Sequence, residues 1–508
     1  MIYSNYQKKI FNAILNGNKN IAVNAVAGSG KTFTIEHACK MLNCNKHDVV
    51  FLAFNKSIAS ELNRRLSSYA DVNTLHAFGL SVLKSIFNTN HRYIKVNNFK
   101  LTNYVKDNIF NLSSLITETT EMSKVWAFIY NCKTIFDLAR VNLIKHGEKD
   151  KLQSLCDEHN IVTLFDEVNV CDILLADAYE MPRNLVIDYV DMLVLPLSYK
   201  DKIPTYKYVF IDECQDLNTA QRELMLCAAR NGRFIAVGDR NQAINGFAGA
   251  DCNSFDKIAK LDNTIELPLS VNYRCGSNII RLAQELVPQI TAHDGAIDGK
   301  ISYVETLSKD MFQPNDMVIC RTSAPLVGLC MKLLQNGITA IVKGKDIAQD
   351  LKLLVENANT SSIDEVLTYL SKEKNKLIAK IKHDRKCSEE DARSSQRYIT
   401  FEDRCKCIEN ICMYSLKDTT ELKEYISILF SDDNMTNSVV LSTIHKAKGL
   451  ESDRVIILLP NKLPLTWKGQ QEWQYNQEVN LKYVAFTRAK KELIIVNMEE
   501  SVLADSNL

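Results

Sequence analysis

The chain has 508 residues, 46% apolar and 24% charged, an ordinary globular composition that is too long for one hydrophobic core and suits roughly three or four domains. Its 61 lysines and arginines balance 61 aspartates and glutamates, which excludes a bulk basic attraction to nucleic acid and leaves only a local groove to supply one. The 15 cysteines are scattered, the first residues have no apolar signal core, and no run nears the ~18 apolar residues that cross a membrane. The expectation is therefore a reduced intracellular protein, cytoplasmic or, in a eukaryote, nuclear.

The first short apolar run, at 21–23, leads into Ala25-Val26-Ala27-Gly28-Ser29-Gly30-Lys31-Thr32, and a helical stretch follows to Leu42. Strand, glycine loop and helix in that order make a phosphate-binding loop. Gly28 and Gly30, with Ala27 and Ser29 beside them, let backbone N–H groups turn toward phosphate oxygens. Lys31 reaches the β and γ phosphates, Thr32 offers a hydroxyl to Mg²⁺, and the helix N-terminus adds the positive end of its dipole. The general pattern has glycine where Ala25 stands.

A second run lies at 49–54, and residues from about 87 to 182 read as helical, with apolar positions at Ile109, Leu112, Leu115, Val125, Phe128 and Ile129. The run at 208–211 ends in Asp212-Glu213. Asp212 is placed to hold Mg²⁺, usually through water, and Glu213 to orient and deprotonate an attacking water. Alone this pair reads as a solvated loop; beside a phosphate loop it reads as the partner half of the site. A run at 234–237 closes the first block. A second block has runs at 317–320, 338–342, 439–441, 455–459 and 493–496. Short apolar runs alternating with helical stretches indicate buried parallel strands in βαβ units, hence two α/β domains. Residues 361–434, charged and helix-prone, interrupt the second block. Their His383, Cys387, Cys405, Cys407 and Cys412 match no zinc spacing, so reduced structural cysteines are expected. The lysines and arginines of 372–397 are interleaved with Glu389, Glu390 and Asp391, which fits a solvated helix face at least as well as a duplex-binding one.

Several stretches are more specific. Asp212-Glu213-Cys214-Gln215-Asp216-Leu217-Asn218, with Gln221 after it, resembles the D-E-x-Q-D-x-N-x-x-Q stretch of the UvrD/Rep helicases of superfamily 1. Others follow in family order: Gln7; Phe54-Asn55-Lys56; Thr74-Leu75-His76-Ala77-Phe78-Gly79; Gly238-Asp239 through Gln242 to Phe247; Asn272-Tyr273-Arg274; Thr443-Ile444-His445 through Lys448-Gly449 to Glu451; and Tyr483 through Thr487-Arg488-Ala489. The match spans about 6–497, with the two interrupting segments unmatched. The Phe54-Asn55-Lys56-Ser57-Ile58-Ala59 variant looks closer to F-box-type and phage members.

The resemblance implies two RecA-like P-loop domains with parallel sheets, each interrupted by a mostly helical insertion. Residues 1–86 and 184–269 form domain 1A, 87–183 a helical 1B insertion, 270–360 and 435–508 domain 2A, and 361–434 a short 2B-like insertion. It also implies ATP hydrolysis with Mg²⁺ and 3′-to-5′ movement on single-stranded DNA, loading at single-strand/duplex junctions for replication, repair or recombination, with no attached nuclease domain and no membrane. Gln7 would read adenine, Tyr273 stack on it, Glu451 bind ribose and Gln242 sense the γ-phosphate. Arg274 and Arg488 would be arginine fingers, which are typically worth about 10³–10⁵ in rate. Phe54, Asn55, Thr74, His76, Phe247, Thr443 and His445 would contact DNA. The rivals for Phe54, His76 and Phe247 are core positions. Phe33, Asn245 and Ala248 depart from the family pattern, where arginine, tyrosine and arginine are usual. Two other functions stand beside this one: an ATP-gated single-strand clamp or protein-displacing translocase, and a P-loop phosphotransferase.

Overall fold

The computed structural model describes residues 3–88, 93–159, 161, 163, 165–246, 249–414, 416–430 and 437–497. It divides into two compact units, one of residues 1–26 and 30–270 and one of residues 27–29 and 271–508.

The first unit is built on a six-stranded parallel sheet, ordered β3-β2-β6-β7-β1-β8. Its strands are β1 (Asn20–Ala25), β2 (Val49–Ala53), β3 (Asp71–Thr74), β6 (Tyr208–Ile211), β7 (Arg233–Gly238) and β8 (Thr264–Leu269). Side chains alternate between two buried faces, as the period of a strand requires. Ile21, Val23, Phe51 and Phe210 pack with Ile10, Ile14 and Ile35 on one face. Ala22, Val50, Leu52 and Ile211 pack with Phe78, Val82 and Leu224 on the other. Two-sided burial explains why the central strands read as continuous apolar runs. The edge strands β3 and β8 have few fully buried residues and carry no such run, so the apolar pattern misses them.

Between the helix Leu75–Phe87 and β6 lies the first insertion. Its helices Lys100–Asp107, Met122–Val141, Lys149–Glu158 and Glu167–Leu175 enclose a core of their own, including Val105, Phe128, Ile135, Leu152 and Cys171. A two-residue parallel pair, β4 (Lys95–Val96) with β5 (Val186–Ile187), joins its entry to its exit. The exit is also tied electrostatically. Arg140, 1% exposed, donates to Asp191 at 2.6 Å, to Asp188 at 2.9 and 3.3 Å and to Asp137 at 2.6 Å, while Lys100 reaches Asp191 at 2.6 Å. Burial opposes the guanidinium charge, but these carboxylates outweigh it and hold Arg140 above its ordinary range.

The second unit repeats the architecture with a six-stranded parallel sheet ordered β11-β16-β15-β12-β14-β13. Its strands are β11 (Lys300–Val304), β12 (Met317–Cys320), β13 (Ala340–Val342), β14 (Val439–Thr443), β15 (Ser452–Leu458) and β16 (Ala489–Val496); β9 (Val271–Asn272) and β10 (Thr291–Ala292) pair separately. The second insertion supplies helices Ile363–Arg385, Gln396–Cys412 and Thr419–Leu429. These do not enclose a separate interior. Cys405, Cys407, Ile408, Ile411, Leu422 and Ile426 belong to the same core as Val318, Leu326 and Leu441 of the domain. Asp403 caps the domain helix Ala324–Gln335 by accepting the Ser323 and Ala324 N–H groups at 2.9 and 2.8 Å. Among the described residues, a small satellite of Ile378, Ile381, Ala392 and Tyr398 stands apart. Among the described residues, no helix is long and apolar enough to cross a membrane.

Candidate functional site

All strands of the first sheet are parallel, so their C-terminal ends share one edge, where ligands of open α/β sheets bind. The motif residues follow those ends. The phosphate loop follows β1, Asp239 and Gln242 follow β7, Asp212 and Glu213 follow β6, Phe54 and Asn55 follow β2, and Thr74 ends β3 with His76 just after it. With neighbouring strands ~4.8 Å apart, the order places the phosphate loop four intervals, about 19 Å, from Thr74.

Across β1, β7 and β6 the charged groups are already joined. The Lys31 ammonium lies 3.3 and 3.4 Å from the two carboxylate oxygens of Glu213. The Thr32 hydroxyl donates to Asp212 at 2.6 Å. Gln215 bridges the strand ends: its amide N–H donates to Glu213 at 2.5 Å, and its carbonyl accepts the Asp239 N–H at 3.0 Å. Gln242 donates to the other end of that link, Asp239 Oδ2, at 2.7 Å. Glu213 is held at φ +55°, an uncommon conformation for a residue with a Cβ.

Electrostatics follow from two buried carboxylates, Asp212 and Asp239, and the half-buried Glu213 around one ammonium. Burial and then the adjacent Glu213 push Asp212 up to about 6, against the pull of Lys31 and of the Thr32 hydroxyl. Burial raises Asp239 as well. Burial disfavours the Lys31 charge, but Glu213, Asp239 and Asp212 overcome it and raise that pKa. The excess of negative charge and the hard oxygen donors of Thr32 and Asp212 suit a divalent cation such as Mg²⁺.

Gln7 is buried at the start of the helix Asn5–Asn16, where it forms a capping box with Ser4 and donates to Thr34 at 3.2 Å. Asn55 and Thr74 cap the helices Lys56–Leu66 and Leu75–Phe87, accepting from Ile58 and Ala77 N–H groups. Phe54 is half-buried. The His76 imidazole, its pKa lowered by burial, meets the ring of Tyr189 edge-on at 6.4 Å. Tyr189 is 56% exposed and was not singled out in the sequence. The available signal was Asp188-Tyr189-Val190-Asp191, whose aspartates anchor to Arg140. Phe33 stacks on His37 at 4.0 Å instead of presenting a cation. Phe247 and Ala248 lie outside the described residues.

The second unit holds the other motif residues. Tyr273 is 46% exposed and stacks on His293 at 5.4 Å. Residues 27–29 belong to this unit, and the Tyr273 N–H donates to the Gly28 carbonyl at 2.9 Å. Gly28 has φ +64°, and a Cβ there would meet the Asn272 amide at 2.5 Å, so both backbone and space require glycine. Arg274 pairs with Glu451 at 2.6 Å, which also binds Lys490 at 2.7 Å. Burial opposes the Glu451 charge, but these cations win and lower its pKa. Arg488 is 1% exposed and donates to the carbonyls of Val484 and Leu450 at 2.9 and 3.0 Å. Thr443 ends β14 and caps the turn carrying His445 by accepting the Lys446 N–H at 3.4 Å.

Residues 6–262 match the model of the UvrD/REP helicase N-terminal domain, half of the chain, and residues 347–500 match the UvrD-like helicase C-terminal domain. The chain belongs to the UvrD/Rep helicase family. It is 22% identical over 88% of its length to the ATP-dependent DNA helicase Rep of Buchnera aphidicola, and spans 60% of that protein. A probable DNA helicase II homolog of Mycoplasma genitalium is 24% identical, with 92% of this chain and 81% of the relative covered. The F-box DNA helicase protein 1 of Schizosaccharomyces pombe is likewise 24% identical, with 96% and 57% covered. The two parallel-sheet domains agree with this membership.

Proposed function

We propose that this UvrD/Rep-family chain is an ATP-driven motor that moves 3′ to 5′ on single-stranded DNA and separates duplexes. The polarity follows from the family resemblance alone; the observation that supports ATP hydrolysis coupled to DNA binding is the single sheet edge. At one end Lys31, Thr32, Asp212, Glu213 and Asp239 form a bonded hydrolysis network; at the other, two strand ends present Phe54, Asn55, Thr74 and His76.

The Lys31 ammonium holds the β and γ phosphates, and backbone N–H groups of the glycine loop turn toward the phosphate oxygens. Thr32 and Asp212 would hold Mg²⁺, which supplies charge neutralisation at the phosphates. Glu213 is the base: once phosphate competes for Lys31, its carboxylate is released to accept a proton from the attacking water. Gln215 keeps that carboxylate aimed and couples it through Asp239 to Gln242, the γ-phosphate sensor. Gln7 and Tyr273 contact adenine and Glu451 the ribose. Arg274 and Arg488 are the fingers, and the partners they hold in this structure are those of the resting state. Exchanging them for phosphate charge makes a conformational change depend on the γ-phosphate. Phe54, Asn55, Thr74, His76, Phe247, Thr443 and His445 contact the strand.

The test is ATP-dependent strand separation on 3′-tailed, 5′-tailed and blunt duplexes. Unwinding from the 3′ tail is expected. Unwinding from a 5′ tail alone overturns the polarity, and single-strand-stimulated ATPase with no unwinding of any substrate indicates a translocase that displaces proteins.

A further inference from the structure

The first insertion displays large apolar side chains that its own core does not use. Along the helix Met122–Val141, Val125, Phe128, Ile129 and Cys132 face that core. The outer face carries Met122, Trp126 and Tyr130, at 67, 48 and 69% exposure and four residues apart. An i, i+4, i+8 series is one stripe, about 12 Å long. Three large apolar groups in a row on a water-facing stripe form a patch that calls for a partner.

Two features indicate the partner's chemistry. The Lys106 ammonium lies 5.7 Å over the Trp126 ring, and among the described residues it has no carboxylate partner. Other cations nearby are neutralised, Lys124 by Glu121 and Lys133 by Asp137. The free cation therefore sits at the aromatic ring, the pairing that takes a phosphate and a base together. The second feature is continuity. Lys106 ends the helix Lys100–Asp107, and Phe99, 68% exposed, stands seven residues earlier on the same face of it. The neighbouring Asn98 accepts the Tyr189 N–H at 3.2 Å, and Tyr189 meets His76. An aromatic trail thus runs from the end of β3 through Tyr189 and Phe99 to Lys106, Trp126 and Tyr130, within one unit. Trp126 and Tyr130 are about 6 Å apart along the helix axis, close to twice the ~3.4 Å spacing of nucleotides in a stacked strand.

We propose that this face of the first insertion is an auxiliary single-strand-binding platform, with Trp126 and Tyr130 stacking on bases and Lys106 holding the phosphate between them. The inference rests on the proposed movement along single strands.

Trp126 provides a probe, since Trp467 and Trp473 are half-buried and the difference between parent and Trp126→Phe isolates the Trp126 signal. The full chain is titrated with oligothymidylates of about 8 and about 20 nucleotides, sizes bracketing a single short track. The longer strand is expected to quench tryptophan fluorescence in the parent, with most of the quench lost in Trp126→Phe. Trp126→Ala with Tyr130→Ala should weaken the longer strand by about 5- to 150-fold, the worth of one lost stack or more, and the shorter strand by less than about threefold. Both positions are exposed, and a thermal melt confirms that the variants fold. Equal quench and equal affinity in parent and variants overturn the platform and leave the face as a protein-docking surface. If the parent binds neither strand, the single-strand reading itself is overturned.

Discussion

The two α/β units have equivalent six-stranded parallel sheets but hold their charged residues differently. In the first, groups from separate strand ends bond to one another: Lys31 to Glu213, Thr32 to Asp212, Gln215 to Asp239. In the second, Arg488 is spent on the carbonyls of Val484 and Leu450 and Arg274 on Glu451. On the proposed reading, one unit is preorganised for chemistry, and the other keeps its cations in reserve. Preorganised charge lowers a barrier without reorganisation at the moment of reaction, whereas reserved charge lets a ligand drive a rearrangement.

Substitutions separate the two modes. Lys31→Ala is expected to abolish ATP turnover, because the phosphates lose their fixed cation and the three surrounding carboxylates lose their counter-charge. Arg274→Ala and Arg488→Ala should each lower kcat by about 10³–10⁵ with little change in ground-state nucleotide binding, as transition-state contacts do. Steady-state kinetics with a fluorescent-nucleotide titration measures both quantities, and a change confined to KM in both variants would remove the finger assignment. Glu213→Gln should slow turnover by about 10²–10⁴, the usual worth of a general base, while nucleotide binding persists. Turnover at the parent rate would show that Glu213 is not the base.

The insertions differ in a parallel way. The first has its own interior and the second shares that of its domain. Ile135→Ala and Ile408→Ala should cost similar amounts, about 2–5 kcal/mol each, but in different places. With Ile408→Ala, amide exchange should quicken throughout the second sheet, β12 and β14 included. With Ile135→Ala it should quicken in the first insertion while β1 and β6 stay protected. Protected β12 and β14 in Ile408→Ala would mean that the second insertion unfolds independently.

This contrast shows what the sequence could and could not reveal. The glycine loop and the Asp212-Glu213 pair were legible because phosphate and water chemistry demand contiguous residues at a strand end. The central strands were legible because both faces are buried. β3 and β8 were not, since an edge strand needs no continuous apolar run. Tyr189 was missed because its setting depends on Asn98 and His76, both distant along the chain. The burial of Arg488 was equally hidden, since a motif gives a residue's role and not its resting partners. In the second insertion, a charged outer face masked the core position of Ile408.

The smallest expected effect concerns His445, and it separates the units by pH. Burial, then the charges of Arg321, Lys448 and Lys446, lower the His445 pKa to about 3. Arg321 is itself locked to Glu478, with three contacts at 2.6, 2.8 and 3.1 Å, so its charge stays beside the imidazole. The folded imidazole is therefore neutral at every pH above about 3, while the unfolded one takes a proton below the ordinary 6.5. The unfolded state binds more protons across that window, so stability is complete above about pH 6.5 and falls as the pH drops toward 3. Between pH 6.5 and 5 the loss is about 2 kcal/mol, at ~1.4 kcal/mol per pH unit. His445→Gln, which cannot titrate, should flatten the acid slope of the second unit's unfolding and leave that of the first unchanged. Amide exchange across that pH range, compared between β14 and β1, measures both slopes in one chain. Identical β14 slopes in parent and variant would mean that His445 takes up its proton without disturbing the fold.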